Sequence, residues 1–330
     1  MAEVQKPFTI LGTGTALPER VLTNADLEKM VDTNDAWIVE RTGIRERRIA
    51  PEGTATSHLA AEALRNACAN AEVSVDSVDT IIVATSTPDT VFPSTACWTQ
   101  RALDLPGAAA FDVSAGCTGW LYALEIASSL LASGVGKRIG VIGAEVMSRV
   151  LDWDDRSTCV LFGDGAGAAV LEKGDGSSGV LSSNWGADGT LAPILYQPAG
   201  GTQMPASEVT VAEKKHTVHM EGRMVFRHAV GCMAKATTEA LSSAGIEPTD
   251  IDLFIPHQAN QRIITATGER VGIPADRTYV TVDRYGNISA ATIPIALHEA
   301  IGEGRIERGQ LAAFTAFGTG LTWAASVLRY

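Results

Sequence analysis

NAEVSVDSVDTIIVATS (70–86) and SAGIEPTDIDLFIPHQA (243–259) are built to one plan. Each runs from a helix end through a small turn and an aspartate-flanked apolar start into a buried strand, and the two lie 173 residues apart. Working outward, AFDVSAGCTG (110–119) matches VTVDRYGNIS (280–289) at an offset of 170, which sets Cys117 opposite Asn287. IGVIGAE (139–145) pairs in the same order with LAAFTAFG (311–318). Common order at nearly constant spacing points to a duplicated unit. The division falls near residue 175, in the glycine-rich EKGDGSSG (172–179), and gives expected halves of 1–175 and 176–330.

Strands are expected at 8–12, 80–86, 108–114, 138–145, 167–173, 252–257, 278–284 and 311–318, and helices at 57–71, 118–133, 222–244, 259–271 and 289–302. Several strands lack period-two alternation, the pattern of strands buried on both faces. Alternation of the two element types gives an α/β class. Residues 186–217, rich in Gly, Pro and Thr, read as a loop excursion of the second half, either plain surface or functional.

At 330 residues the chain is too long for one small core and suits a unit built twice. With 45% hydrophobic but only 6% aromatic residues, its core falls to Ala, Val, Ile and Leu. A net charge of -12 argues against general nucleic-acid binding, which favours basic chains. The cysteines, Cys68, Cys97, Cys117, Cys159 and Cys232, are odd in number and form no CxxC pair. That pattern argues against a zinc or iron–sulfur site, and no metal is expected. Free thiols suit a reducing compartment, so a cytoplasmic protein is expected. The N-terminal MAEVQKPFTILGTG has no basic segment before an apolar run, and no stretch nears the roughly 20 apolar residues of a membrane span.

Three residues are candidates for chemistry. Cys117 follows a strand end and a turn of small residues and begins a helix (SAGCTGWLYALEIA), where free amides and the helix dipole favour a thiolate nucleophile. His257 closes the strand of DLFIPHQAN, at the strand end where open α/β sheets place their sites. Asn287 stands beside Gly286 at a helix start, which alone suggests an N-cap, but the repeat sets it opposite Cys117. Taken singly, each residue has an ordinary structural reading as well. FGDGAGAAVLE (162–172) resembles a phosphate loop at first sight but lacks the lysine and precedes a strand.

GCTG at Cys117, PHQAN (256–260) and GNISAA (286–291) resemble the catalytic motifs of the β-ketoacyl-acyl carrier protein synthase III family. TNADLEKMVDTNDAWIVERTGIRERR (23–48), FGDGAGAAVLE and AFGTGLTW (316–323) do so too, in order from about residue 8 to the C-terminus. The resemblance implies the thiolase fold, a duplicated five-layered α/β/α/β/α unit. It implies an acyltransferase that primes fatty acid synthesis by decarboxylative condensation of a short acyl-CoA, acetyl-CoA by preference, with malonyl-acyl carrier protein. Acyl-CoA is then a substrate, and no cofactor is expected.

By the same resemblance Cys117 carries the acyl group, and His257 and Asn287 form the decarboxylation site, donating from Nε2–H and the side-chain amide to an enolate oxygen. The backbone N–H groups of Cys117 and Thr319 form the oxyanion hole; Thr319 departs from the usual glycine or alanine, but the donor is backbone. Trp37, Arg41, Arg156 and Asn260 are implied for CoA, and Phe92, Met147 and Phe317 for the acyl pocket. Phe92 is expected from a partner subunit, which implies a homodimer. Arg227, Arg262 and Arg270 are implied for the acidic carrier protein, with Glu269 standing where relatives carry a base. Two rival functions share this chemistry: a priming synthase of a polyketide pathway, and a cysteine acyl hydrolase.

Overall fold

The computed structural model describes residues 4–330; residues 1–3, part of the N-terminal stretch read above for a leader, lie outside the described residues. Nine strands form one continuous ladder: β1 (Lys6–Ala16), β2 (Thr80–Ala84), β3 (Ala109–Val113), β4 (Arg138–Val146), β5 (Asp164–Lys173), β6 (Gly179–Ala187), β7 (Leu253–Pro256), β8 (Leu311–Gly318) and β9 (Thr322–Arg329). Their order is β7-β8-β9-β6-β1-β5-β4-β2-β3. The ladder divides naturally at β1 and β6, which share only the pairs Lys6–Val180 and Pro7–Gly179.

On either side of that seam the topology repeats. In the first sheet β3–β2 and β2–β4 are parallel, and β4–β5 and β5–β1 antiparallel. In the second, a bridge from Thr278 to Phe254 and the β7–β8 pair are parallel, and β8–β9 and β9–β6 antiparallel. Thr80 pairs with Ile139 as Leu253 pairs with Ala312, so both partners advance by 173 residues. The helix starts keep that spacing: turns at Gly116–Thr118 and Ser289–Ala291 lead into α4 (Gly119–Ser133) and α7 (Thr292–Gly302). The offset of 170 read for the second segment pair is therefore corrected to 173. Ala290, not Asn287, is the counterpart of Cys117.

Five layers result. Helices α2 (Thr56–Asn70) and α3 (Thr95–Leu103) cover the outer face of the first sheet, burying Leu59, Leu64, Ile81 and Ile142. Helices α5 (Gly222–Ala244) and α6 (Gln261–Val271) flank the second sheet, with Ala240, Leu241, Phe254 and Val271 in its outer core. Between the sheets lie α4 and α7, in a core of Trp120, Leu124, Ile293, Leu297, Ile82 and Phe314. Small residues such as Ala123, Ala127, Ala296 and Ala300 let these helices pack closely around Trp120 and Phe314.

Several sequence expectations change. The strand at 278–284 reduces to the Thr278 bridge followed by a helical turn over Val282–Tyr285. The reason is the buried Gln258 side chain, whose Oε1 takes the Thr281 and Val282 amides at 2.7 and 3.2 Å instead of a ladder. Strands β6 and β9, helix α3 and helix α1 (Asp35–Thr42) were not expected. Helix α6 begins at Gln261 because Asn260 caps it, accepting from Arg262 N. Within 186–217, Ala192, Leu195, Tyr196 and Gln197 line one wall of a cavity, and most of residues 200–214 are exposed surface. No helix among the described residues is long and apolar enough to cross a membrane.

Close approach of the halves requires glycine. A Cβ at Gly143 of β4 would lie 2.3 Å from the Ala290 carbonyl oxygen, whereas one at Gly231 of α5 meets nothing within 4 Å. Gly143→Ala is therefore expected to destabilise by about 1–3 kcal/mol through overpacking. Gly231→Ala is expected to stabilise by about 0.5–1 kcal/mol through helix propensity. Urea unfolding of the two variants, with opposite shifts in midpoint, checks both.

Candidate active site

Cys117 sits in the turn before α4, beside the turn before α7. Its Sγ lies 3.6 Å from Ser289 Oγ, a contact across the two halves. Gly116 and Gly318 let the Cys117 and Thr319 segments interlock: a Cβ at Gly318 would fall 2.5 Å from Cys117 N, and one at Gly116 2.6 Å from Thr319 N. Two backbone amides are thus brought together beside the sulfur.

His257 follows β7 and is buried. Its Nδ1 is 2.7 Å from the Thr292 hydroxyl in the first turn of α7. Asn287 is fixed through its backbone, which donates to Leu161 O at 2.8 Å and accepts from Gly163 N at 3.1 Å. Its Oδ1 accepts from Ser289 N at 2.8 Å, leaving Nδ2 free to donate. The FGDG segment of the phosphate-loop-like motif therefore serves as the rail that holds Asn287. Buried Arg47 steadies that rail through Nη2 to Val160 O at 2.7 Å.

Cys117, His257 and Asn287 line one cavity of about 520 Å³, together with Met147, Asn260, Phe317 and Thr319. Trp37, Arg41 and Arg156 form a separate cluster: the Arg41 and Arg156 guanidinium carbons lie 4.8 and 5.4 Å from the indole centre. Asn260 links cluster and cavity, since its Nδ2 donates to Arg41 O at 2.9 Å. Phe92 is outside the cavity, 84% exposed beside the 85%-exposed Val91. Arg262 stacks 5.5 Å over Phe226, a cavity residue; Arg227 lies on α5 beside it, and Arg270 in the last turn of α6.

Electrostatics correct one expectation. Burial, reinforced by the Glu145 carboxylate, pushes the Cys117 thiol up to about 12, with Ser289 acting the other way. Burial thus favours the thiol, against the thiolate expected at a helix start. Burial likewise pulls His257 down to about 3, so its imidazole is neutral. Glu145, at 0% exposure, is raised by burial against hydrogen bonds from Thr87, Ser289 and the Ser86 and Ala290 amides. Sequence reasoning passed over Ser289, Thr292 and Glu145. A carboxylate ending the apolar run of IGVIGAE was the available signal for Glu145, and Ser289 stood inside the quoted GNISAA motif.

Comparison with known proteins agrees with this geometry. Residues 111–189 match the family described as 3-oxoacyl-[acyl-carrier-protein (ACP)] synthase III, and residues 241–330 match the C-terminal part of the same family. The β-ketoacyl-[acyl-carrier-protein] synthase III of Caldanaerobacter subterraneus subsp. tengcongensis is 53% identical over 321 residues, 97% of either chain. The crystal structure of 3-oxoacyl-[acyl-carrier-protein] synthase III from Aquifex aeolicus VF5 superposes with a TM-score of 0.90 at 48% identity, covering 98% of this chain and 100% of that one. The priming β-ketosynthase of the R1128 polyketide pathway is also similar, with a TM-score of 0.89 and 33% identity over 100% of this chain and 97% of that one.

The neutral His257 has a thermodynamic signature. Between its ordinary value of 6.5 and the folded value near 3, the unfolded chain binds a proton that the folded chain refuses. The stability tied to this group is complete above 6.5 and is lost as pH falls toward 3, at up to about 1.4 kcal/mol per pH unit. The stability difference between wild type and His257→Gln in urea should shrink as pH falls from 7 to 4. The His257 ring signals in NMR should stay fixed from pH 8 to 5; a titration near 6.5 would contradict the assignment.

Proposed function

We propose, from the premise that this chain belongs to the β-ketoacyl-acyl carrier protein synthase III family, that Cys117, His257 and Asn287 carry its reaction. The chain is an acyltransferase with the thiolase fold, and it catalyses the decarboxylative condensation that starts fatty acid synthesis. The observation that carries the assignment of residues is the single cavity in which all three side chains meet. Cys117 comes from the first half, 1–175, and the other two from the second, 176–330.

In the first half-reaction Cys117 sulfur attacks the carbonyl of an acyl-CoA, and CoA leaves. The oxyanion is received by the Cys117 and Thr319 amides; one such donor is worth about 3–4 kcal/mol. In the second, a malonyl thioester on acyl carrier protein loses carbon dioxide. In the tautomer that carries its proton on Nε2, with Nδ1 accepting from the Thr292 hydroxyl 2.7 Å away, the neutral ring offers that proton to the enolate oxygen beside Asn287 Nδ2. The carbanion then attacks the acyl-cysteine. Because His257 is neutral, charge arises there only with the enolate.

CoA is placed with its adenine at Trp37 and its phosphates at Arg41 and Arg156, its arm passing Asn260 into the cavity. Arg227, Arg262 and Arg270 offer the basic rim that an acidic carrier needs on a chain of net charge -12. Exposure of Val91 and Phe92, next in sequence to the helix that backs edge strand β3, supports a homodimer in which Phe92 of a second copy closes the acyl end beside Met147 and Phe317. A bulky closing residue favours acetyl-CoA as primer. All five cysteines are unpaired, which supports a cytoplasmic location.

Purified protein given labelled acetyl-CoA should take up one label per chain on Cys117, and added malonyl-acyl carrier protein should discharge it as a β-ketoacyl thioester. Free acetate instead would identify a hydrolase, and preference for another acyl-CoA a different primer. Cys117→Ala should abolish labelling. Asn287→Ala should still reach one label per chain, at whatever rate, but lose condensation by about 10²–10³-fold. Sedimentation should give a dimer mass that falls to the monomer in Phe92→Asp.

A further inference from the structure

The reaction as described leaves one question open: where the proton of Cys117 goes. The thiol is protonated at rest, yet its sulfur must attack as the anion. In the reaction proposed above His257 holds a proton toward the cavity and is not free to take another.

Two groups near the sulfur have no role so far. Ser289 touches it directly, at 3.6 Å. Ser289 also has a φ of +43°, a left-handed conformation that is costly for any residue but glycine. The amide bond to Asn287 Oδ1 and the start of α7 hold it there. A strained residue kept in place against the nucleophile points to use of its side chain.

Glu145 is the second group. It is fully buried at the end of β4, and among the described residues no cation pairs with it. Its two oxygens are unequally satisfied. Oε2 takes Thr85 Oγ1 at 3.2 Å, Ser86 N at 3.0 Å, Thr87 N at 3.0 Å and Thr87 Oγ1 at 2.6 Å. Oε1 takes only Ser86 N at 3.0 Å and Ala290 N, the neighbour of Ser289, at 3.5 Å. The less satisfied oxygen therefore faces the Ser289 turn. Ser289 is also among the groups that favour the charged form of this carboxylate. A buried carboxylate without a counter-ion is a stronger base than one in water.

We propose that Ser289 is a catalytic residue of the first half-reaction, relaying the Cys117 proton to Glu145. The S–H bond breaks as Ser289 Oγ takes its proton, and the Ser289 O–H proton passes to Glu145 Oε1. The freed sulfur pair forms the bond to the acyl carbon, and the carbonyl pair becomes the oxyanion. On collapse the carbon–sulfur bond to CoA breaks. The leaving sulfur takes a proton from Ser289, which recovers one from Glu145, so the carboxylate ends as it began. This rests on Cys117 being the acylated residue.

The test compares two reactions of Cys117 at one pH. Acylation needs the relay on the reaction path; alkylation by iodoacetamide reads only how much thiolate is present. In Glu145→Gln the relay ends at an amide, but a negative neighbour of the sulfur is gone. Acylation should slow about 10²-fold, while alkylation stays as fast or becomes faster. Ser289→Ala and Ser289→Gly, which differ in backbone strain but both lack the hydroxyl, should slow acylation alike. These two variants decide the matter if Glu145→Gln does not fold. Acylation undiminished in Glu145→Gln, wild-type acylation in Ser289→Gly, or acylation and alkylation falling together would each overturn the relay. Running acylation with 4-nitrophenyl acetate as well as acetyl-CoA separates the questions: the ester reads the relay, whereas failure with acetyl-CoA alone would count against the proposed substrate.

Discussion

The Ala290 carbonyl resting against the bare backbone of Gly143 is the constraint on which the active centre depends. It brings the start of α7 against the strand that carries Glu145, and so sets Ser289 beside Cys117. Gly116, Gly119 and Gly318 extend the same principle around the sulfur. Two sheets, two central helices and two strand ends converge where side chains have been removed from the backbone. Reactive side chains then occupy the space: a thiol from one half, an imidazole and an amide from the other.

The convergence explains what could be read from the chain and what could not. The repeat of buried strands gave the layers, because a strand covered on both faces is apolar throughout and its neighbours are Ala-rich helices. Cys117, His257 and Asn287 stood at element ends flanked by small residues, so local sequence carried their positions. The three-residue slip in aligning Asn287 with Cys117 arose where chain geometry is least regular, in a segment whose amides are satisfied by the Gln258 side chain. Strand β6 was hidden by its Ser, Asn and Gly residues, and the cavity wall at 186–217 by the absence of any period. Contacts such as Ser289 with Cys117 span 172 residues and belong to no local pattern.

The same burial that places these groups sets their charges. Imidazole and carboxylate are buried and the thiol is partly so, and among the described residues no lysine or arginine hydrogen-bonds or ion-pairs with any of the three. In such a place a separated charge is costly, so the resting site keeps Cys117 and His257 neutral and surrounds Glu145 with donors. The cationic residues stand apart, at Trp37 and along α5 and α6, where we place the anionic parts of substrates and carrier. Recognition by charge at the rim and reaction among neutral groups at the centre are thus separated along one path, joined by Asn260.

The shared middle layer also bears on how the chain is made. Helix α7 packs on β5 and β1, yet it is synthesised some 120 residues after β5. At about 5–20 residues per second, part of the inner face of the first sheet stays uncovered for on the order of 10 s after leaving the ribosome. Over that interval the first sheet's inner face is covered by α4 alone, and the part that α7 covers in the finished protein stays apolar and exposed. A duplicated architecture with an interleaved core therefore exchanges independent folding of its halves for a joint active centre, and exposes the nascent first half to chaperones and to its own copies until the last helix arrives.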